Sequence, residues 1–271
     1  MKKYLGRIYM GLIFLFMYAP IFLLMIFSFN SSKSRSVWTG FSLKWYKELF
    51  QDSEILHSIK VTLLVAVCAA VISTILGTAA ALGLYAMKKQ PRRALMTVNN
   101  IPTMNPDIIM GVSLMLLFIF FAQTLHMDFF KLGFGTLLIA HITFDTPYVL
   151  LAVMPKLRQM DRRQYEAALD LGAGTVQTFF RIVLPQITTG IVTGMIMAFT
   201  LSIDDVVVSY FTSGPTSETL GVLIFGMTKK RISPEINALC TLMFVFVLLL
   251  LIIINLRELR AERERERREA R

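Results

Sequence analysis

The sequence predicts an all-α integral membrane protein with six transmembrane helices, and three observations lead there. Of its 271 residues 55% are hydrophobic, and the mean hydropathy is +0.61. The apolar residues lie in runs that meet the roughly 20 residues a helix needs to cross ~30 Å of hydrocarbon, without the polar face of a soluble amphipathic helix. Lys and Arg fall mainly on alternate connections between those runs, the asymmetry that sets membrane orientation.

The expected spans are residues 8–29, 59–87, 95–122, 133–154, 188–208 and 236–256, within a membrane domain of residues 1–256. Lys2, Lys3 and Arg7 precede the first run as they would a signal peptide. That run is longer than a signal core and ends in Ser28-Phe29-Asn30 without an A-x-A-like cleavage site, so it reads as an uncleaved anchor. The third run carries Ile101-Pro102-Thr103-Met104-Asn105-Pro106-Asp107, where two prolines remove backbone donors and predict a broken helix. Broken spans line pathways, because the freed backbone groups must face protein or water.

Of the 28 Lys and Arg residues, 19 fall on the set of connections that includes both termini and residues 155–187. Both termini and that loop are therefore expected in the cytoplasm, with residues 257–271 forming a charged cytoplasmic tail of alternating Arg and Glu. The net charge of +10 then sets orientation and attracts membrane lipid, and it does not point to a nucleic acid. Cys68 and Cys240 lie inside spans with no second ligand at metal spacing and read as packing residues. His57, His126 and His141 sit on different segments, and no catalytic arrangement stands out, so no enzyme activity and no metal site are expected in this chain.

Acids inside the spans are the second chemical signal. Asp145, Asp204 and Asp205 fall within apolar runs and Asp107 follows the proline break, whereas no Lys or Arg lies well inside any span. A carboxylate at the centre of a lipid-embedded helix costs about 2.5–3.5 kcal/mol on insertion scales, so these groups should face a pathway or find partners. A permeant cation would supply one. On a continuous helix Ser202, Asp205 and Ser209 share one face, with Asp204 turned away, which assigns Asp205 to the pathway and Asp204 to a neighbouring helix; the reverse assignment, and a carboxylate satisfied by Ser, Thr or a backbone group at a helix end, stay open for both. Asp107 reads equally as a pathway group or a helix cap, and Asp145 as a pathway group or the partner of a neighbouring helix. The candidate pathway residues are thus Asp205, Asp204, Ser202, Ser209, Asp107 and Asp145.

The connection between the fourth and fifth spans reads Tyr165-Glu166-Ala167-Ala168-Leu169-Asp170-Leu171-Gly172, followed after nine residues by Ile182-Val183-Leu184-Pro185. Composition alone predicts a short helix stopped at Gly172, with Pro185 restricting entry to the next span. The spacing resembles the coupling motif of ABC importer permeases, and every fixed position is met: Glu166, Ala167, Ala168, Gly172, Ile182, Leu184 and Pro185. The resemblance implies that this helix docks on an ATPase, through Glu166, Ala167, Ala168 and Gly172. Arg158, Arg162, Arg163 and Arg181 then either rim that contact or anchor in headgroups.

Ser28-Phe29-Asn30-Ser31-Ser32, Trp45-Tyr46, Ser202 to Ser209, Ser213-Gly214-Pro215 and Ser233-Pro234-Glu235-Ile236-Asn237-Ala238 extend the match over residues 18–256. Together they resemble spermidine/putrescine permeases of the PotC type. That resemblance implies the six-helix type I ABC importer permease fold in a bacterial cytoplasmic membrane. Its expected partners are an ATP-binding cassette ATPase dimer, a second permease of the PotB type and an extracytoplasmic polyamine-binding protein of the PotD type, the last met by residues 30–54 and 209–235. The chain has no G-x-x-x-x-G-K-[ST] loop, so it carries no cofactor and ATP with Mg belongs to the partner ATPase. Asp145 matches no family motif. An importer for another small cation or organic solute, and an ion-coupled secondary transporter using the same acids, are the alternatives.

Overall fold

The computed structural model describes residues 2–32, 37–230, 235–249 and 252, and its side chains exclude those of residues 2–5, 8, 162 and 230. All regular elements among these residues are helical. The chain divides into two compact units, residues 57–226 and the pair of segments 1–56 and 227–271.

The terminal unit contains α1 (Lys2–Ser28), whose apolar stretch Tyr9–Ser28 exposes Leu12 and Phe16, the reverse of a soluble helix. The chain then turns back on itself through the motif residues noted above. Trp45 Nε1, on α2 (Lys44–Leu49), donates to the Asn30 carbonyl at 2.6 Å, and Asn30 Nδ2 donates to the Val37 carbonyl at 2.8 Å. Ser28 Oγ and Tyr46 Oη lie 2.7 Å apart. These bonds satisfy the backbone where α1 ends, so the Ser28 to Asn30 and Trp45-Tyr46 motifs serve the local turn. A further apolar helix, Glu235–Leu249, covers the described part of the expected sixth span; residues 250, 251 and 253–256, Ser233-Pro234 and the tail 257–271 lie outside the described residues.

The longest described helix, α3 (Ser53–Ala86), lies mostly in the central unit and is started by Asp52, whose carboxylate accepts from Glu54 N at 2.8 Å and Ile55 N at 3.2 Å. The third expected span is two helices, α4 (Lys89–Met104) and α5 (Asp107–Gln123), bent by 103°. Asn105 is extended at ψ 143 because it precedes Pro106, and Pro106 supplies no amide to continue α4. After an exposed turn, where Lys131 at 2.8 Å holds the Asp128 carboxyl below its usual range, α6 runs from Phe134 to Gln159.

The connection expected at residues 155–187 is largely helical: α6 continues to Gln159, then α7 (Arg162–Asp170) follows, and α8 (Thr175–Thr178) leads through a π-helical turn, Phe179–Val183, into α9 (Leu184–Asp204). The π turn precedes Pro185, whose missing amide removes one α-helical bond, so the widened turn carries the chain past it. Val149, Val153, Leu157 and Ile187 are fully buried in the core around α6 and α9. A Cβ on Gly190 would sit 2.9 Å from the Ala152 carbonyl, and one on Gly194 3.1 Å from Val149 Cα, so the glycines set how closely α9 approaches α6. Among the described residues four helices are long and apolar enough to cross a membrane, and five if α4 and α5 count as one broken span.

The fifth span differs most from expectation. It was expected to reach Val208, but α9 stops at Asp204, Asp205 is extended at ψ 127, and a new helix, α10 (Val207–Thr212), begins. The Asp205 carboxylate accepts from Ser209 N at 2.7 Å and Val208 N at 3.2 Å, capping α10. Asp favours this use of its side chain over continuing a helix. The last helix of the unit, α11, starts at Leu220.

Candidate functional site

Two helix breaks, one at Asn105-Pro106 and one at Asp205-Val206, supply acids to a single cavity of 140 Å³. Asp107 stands at the start of α5, Asp204 at the end of α9 and Asp205 in the break, while Phe144 and Tyr148 of α6 add aromatic wall. Among the described residues no Lys, Arg or His lines it. Asp107 occupies the first turn of α5, where a negative charge suits the helix dipole, yet it makes no capping bond.

The assignment of opposite directions to Asp204 and Asp205 does not describe this geometry. The 100° step between neighbours applies only inside a continuous helix, and the backbone turns at Asp205. Both carboxylates reach the same cavity; Asp204 is exposed, while Asp205 is half-buried and holds the amides of α10.

Asp145, Ser202 and Ser209 lie elsewhere, in a buried network centred on His141. Ser202 Oγ donates to Asp145 Oδ2 at 2.7 Å, so its oxygen is left to accept from His141 Nδ1 at 3.0 Å. His141 Nε2 is 3.0 Å from Ser209 Oγ and 3.8 Å from Asp205 Oδ2. His141, Asp145 and Ser209 are fully buried and Ser202 nearly so, and Asp145 Oδ1 has no hydrogen-bond partner among the described residues. One imidazole therefore bridges α9 and α10 across their break and steadies the backbone that presents Asp205.

His141 escaped the sequence reading because its partners are 61 and 68 residues away. A usable signal existed: His141 and Asp145 are four apart, as are Phe144 and Tyr148, which places them on adjoining stripes of one helix. Polar groups of that kind inside an apolar run needed partners.

The coupling segment is built as a helix with a defined stop. Asp161 caps α7 by accepting from Arg163 N at 3.0 Å. At the other end Gly172 N donates to the Leu169 carbonyl at 2.9 Å and Ala173 N to the Ala168 carbonyl at 3.0 Å, the paired bonds of a Schellman motif. Gly172 sits at φ +84, a conformation that costs residues with a Cβ. Glu166, Ala167 and Gly172 are exposed and Ala168 is half-buried, whereas Ile182, Leu184 and Pro185 lie in the π turn and the start of α9. Among the described residues no group of three or more metal-ligating side chains occurs.

Comparison with known proteins follows this division. A family model described as "Binding-protein-dependent transport system inner membrane component" matches residues 73–257, which include both the acid-lined cavity and the coupling segment. The putrescine transport system permease protein PotI of Escherichia coli K12 is 42% identical over 85% of this chain and 82% of its own. The spermidine/putrescine transport system permease protein PotC is 38% identical in Escherichia coli K12, over 88% and 87% of the two chains. In Haemophilus influenzae it is 37% identical, over 90% and 92%. Among solved structures, a bacterial ABC transporter involved in import of the acidic polysaccharide alginate superposes with a TM-score of 0.71 at 18% identity, covering 93% of this chain and 92% of that one. That last likeness concerns the fold alone.

Proposed function

Because the chain belongs to the binding-protein-dependent transport system inner membrane components, a multi-pass family of bacterial ABC importers whose ATPase is a separate subunit, we propose that it is the polyamine-conducting permease of such an importer. The observation that carries this reading is the convergence of Asp107, Asp204 and Asp205 with Phe144 and Tyr148 on one cavity that no described basic side chain lines. A flexible di- to tetracation suits that wall: its ammonium groups meet carboxylates where the effective dielectric is lowered, and the aromatic faces attract the same charges. An anion would be repelled by these carboxylates, and a zwitterion would find a partner for its ammonium but none for its own carboxylate. The names of the relatives point the same way.

In this reading six spans place both termini inside. The cavity, at the meeting of two broken spans, is completed by a second permease chain of the PotB type. A PotD-type binding protein delivers substrate from outside. On the inner face α7 docks on the ATPase dimer through Glu166, Ala167, Ala168 and Gly172, and the stiff path from α8 through the π turn into α9 carries its displacement to Asp204 and Asp205. His141, Ser202, Ser209 and Asp145 keep the far end of that path registered. Asp205 and Asp204 contact substrate, with Asp107 opposite.

The test is uptake in proteoliposomes holding all partner subunits, with labelled spermidine or putrescine competed by unlabelled polyamines, amino acids and metal ions. Polyamines should compete and amino acids should not. Uptake that proceeds without ATP would remove the importer reading, and competition by amino acids alone would remove the polyamine one.

A further inference from the structure

A second cavity, of 390 Å³, borders the coupling helix and is chemically unlike a packing defect. Its wall holds one carboxylate, Glu166, and three aromatic side chains from three separate elements: Tyr85 of α3, Tyr165 of α7 and Phe179 of the π turn. Leu82, Leu157 and Val183 contribute apolar surface, and among the described side chains no Lys, Arg or His lines it. Among the described residues the Glu166 carboxylate has no hydrogen bond or ion pair. One carboxylate is too few oxygen ligands for a divalent cation, and an anion would be repelled.

We propose that this cavity binds a primary alkylammonium ion. The ammonium meets Glu166 and the ring faces, an arrangement that favours cations, while its methylenes cover Leu82, Leu157 and Val183, which removes apolar surface from water. The ligand then bridges α3, α7 and the π turn, the elements that must shift for α7 to drive α9. Occupancy therefore restrains the coupling helix, and amines accumulating on its side of the membrane slow further ATP-driven import. Only this regulatory consequence rests on the importer reading; the binding site stands on the cavity itself.

The binding arm uses the full-length chain in nanodiscs and radiolabelled n-butylammonium at equilibrium. Saturable binding is expected to persist in Asp205→Asn, which silences the acid-lined cavity, and in that background to weaken about fivefold or more on adding Tyr165→Leu, Glu166→Gln or the cavity-filling Leu82→Trp. Binding that survives all three substitutions, or that disappears with Asp205→Asn, overturns the assignment; the second result would move the ammonium to the acid-lined cavity. If Leu82→Trp does not fold, Phe179→Leu takes its place with the same expectation. In the regulatory arm, ATP hydrolysis by the assembled importer with loaded binding protein should fall on adding n-butylammonium and should not fall in the Leu82→Trp assembly. No fall in the unsubstituted assembly overturns the regulatory role, whether or not the binding arm succeeds.

Discussion

Substituting Gly172 separates two roles that the coupling motif combines. The residue sits at φ +84 and closes the Schellman motif of α7, so any L side chain meets a backbone penalty there. For Ala that penalty is about 1–2 kcal/mol, whereas Asn tolerates the left-handed region better. Yet a Cβ at Gly172 has nothing within 4 Å in this chain, so size alone should not disturb the isolated permease. Backbone strain thus ranks Ala as the worse substitution, and close approach to an ATPase ranks Asn as the worse. Hydrogen exchange reads the first effect: in the permease alone, the amides of Gly172 and Ala173 should open roughly 5- to 30-fold more readily in Gly172→Ala, the equivalent of that ~1–2 kcal/mol, and less so in Gly172→Asn. Coupled uptake in the assembled importer reads the second, and there Gly172→Asn should lose more uptake per ATP hydrolysed than Gly172→Ala. If Ala uncouples as strongly as Asn, the loop's shape alone matters and the docking argument fails.

Asp205→Asn should lower polyamine uptake at least tenfold while the ATPase still assembles, because Asn can still cap α10; equal loss of assembly would make Asp205 structural. His141→Leu should destabilise the permease by about 2–4 kcal/mol, since the buried hydroxyls of Ser202 and Ser209 lose a hydrogen-bond partner. Thermal unfolding in detergent should show a drop of several degrees, and an unchanged midpoint would mean the bridge does not hold the break. Gly190→Leu should cost more than the same change at Gly83, where nothing lies within 4 Å of a Cβ; equal yields of folded protein would deny the tight contact of α6 with α9.

Periodicity, proline and charge made much of this protein legible in the sequence. Long apolar runs mark spans because a helix in hydrocarbon satisfies its backbone bonds internally, so length and composition suffice. The Asn105-Pro106 break and the Gly172 stop were readable for a similar reason: each follows from the conformational limits of one or two residues. The acids were recognisable as needing partners, but the choice between pathway and neighbour was not.

That choice belongs to tertiary structure. Asp107 and Asp204 meet at one cavity only because the chain turns by 103° between α4 and α5 and α9 ends where it does. Ser202, Asp205 and Ser209 would share a face only on a continuous helix, whereas the carboxylate of Asp205 stabilises a new helix start instead. His141 was unremarkable in sequence because hydrogen bonds to Ser202 and Ser209 depend on the packing of α6 against two later helices. Local rules act through bonds and near neighbours and can be read along the chain. The meeting of distant polar groups depends on how whole helices pack, and that was decided only when Gly190 and Gly194 let α9 settle against α6.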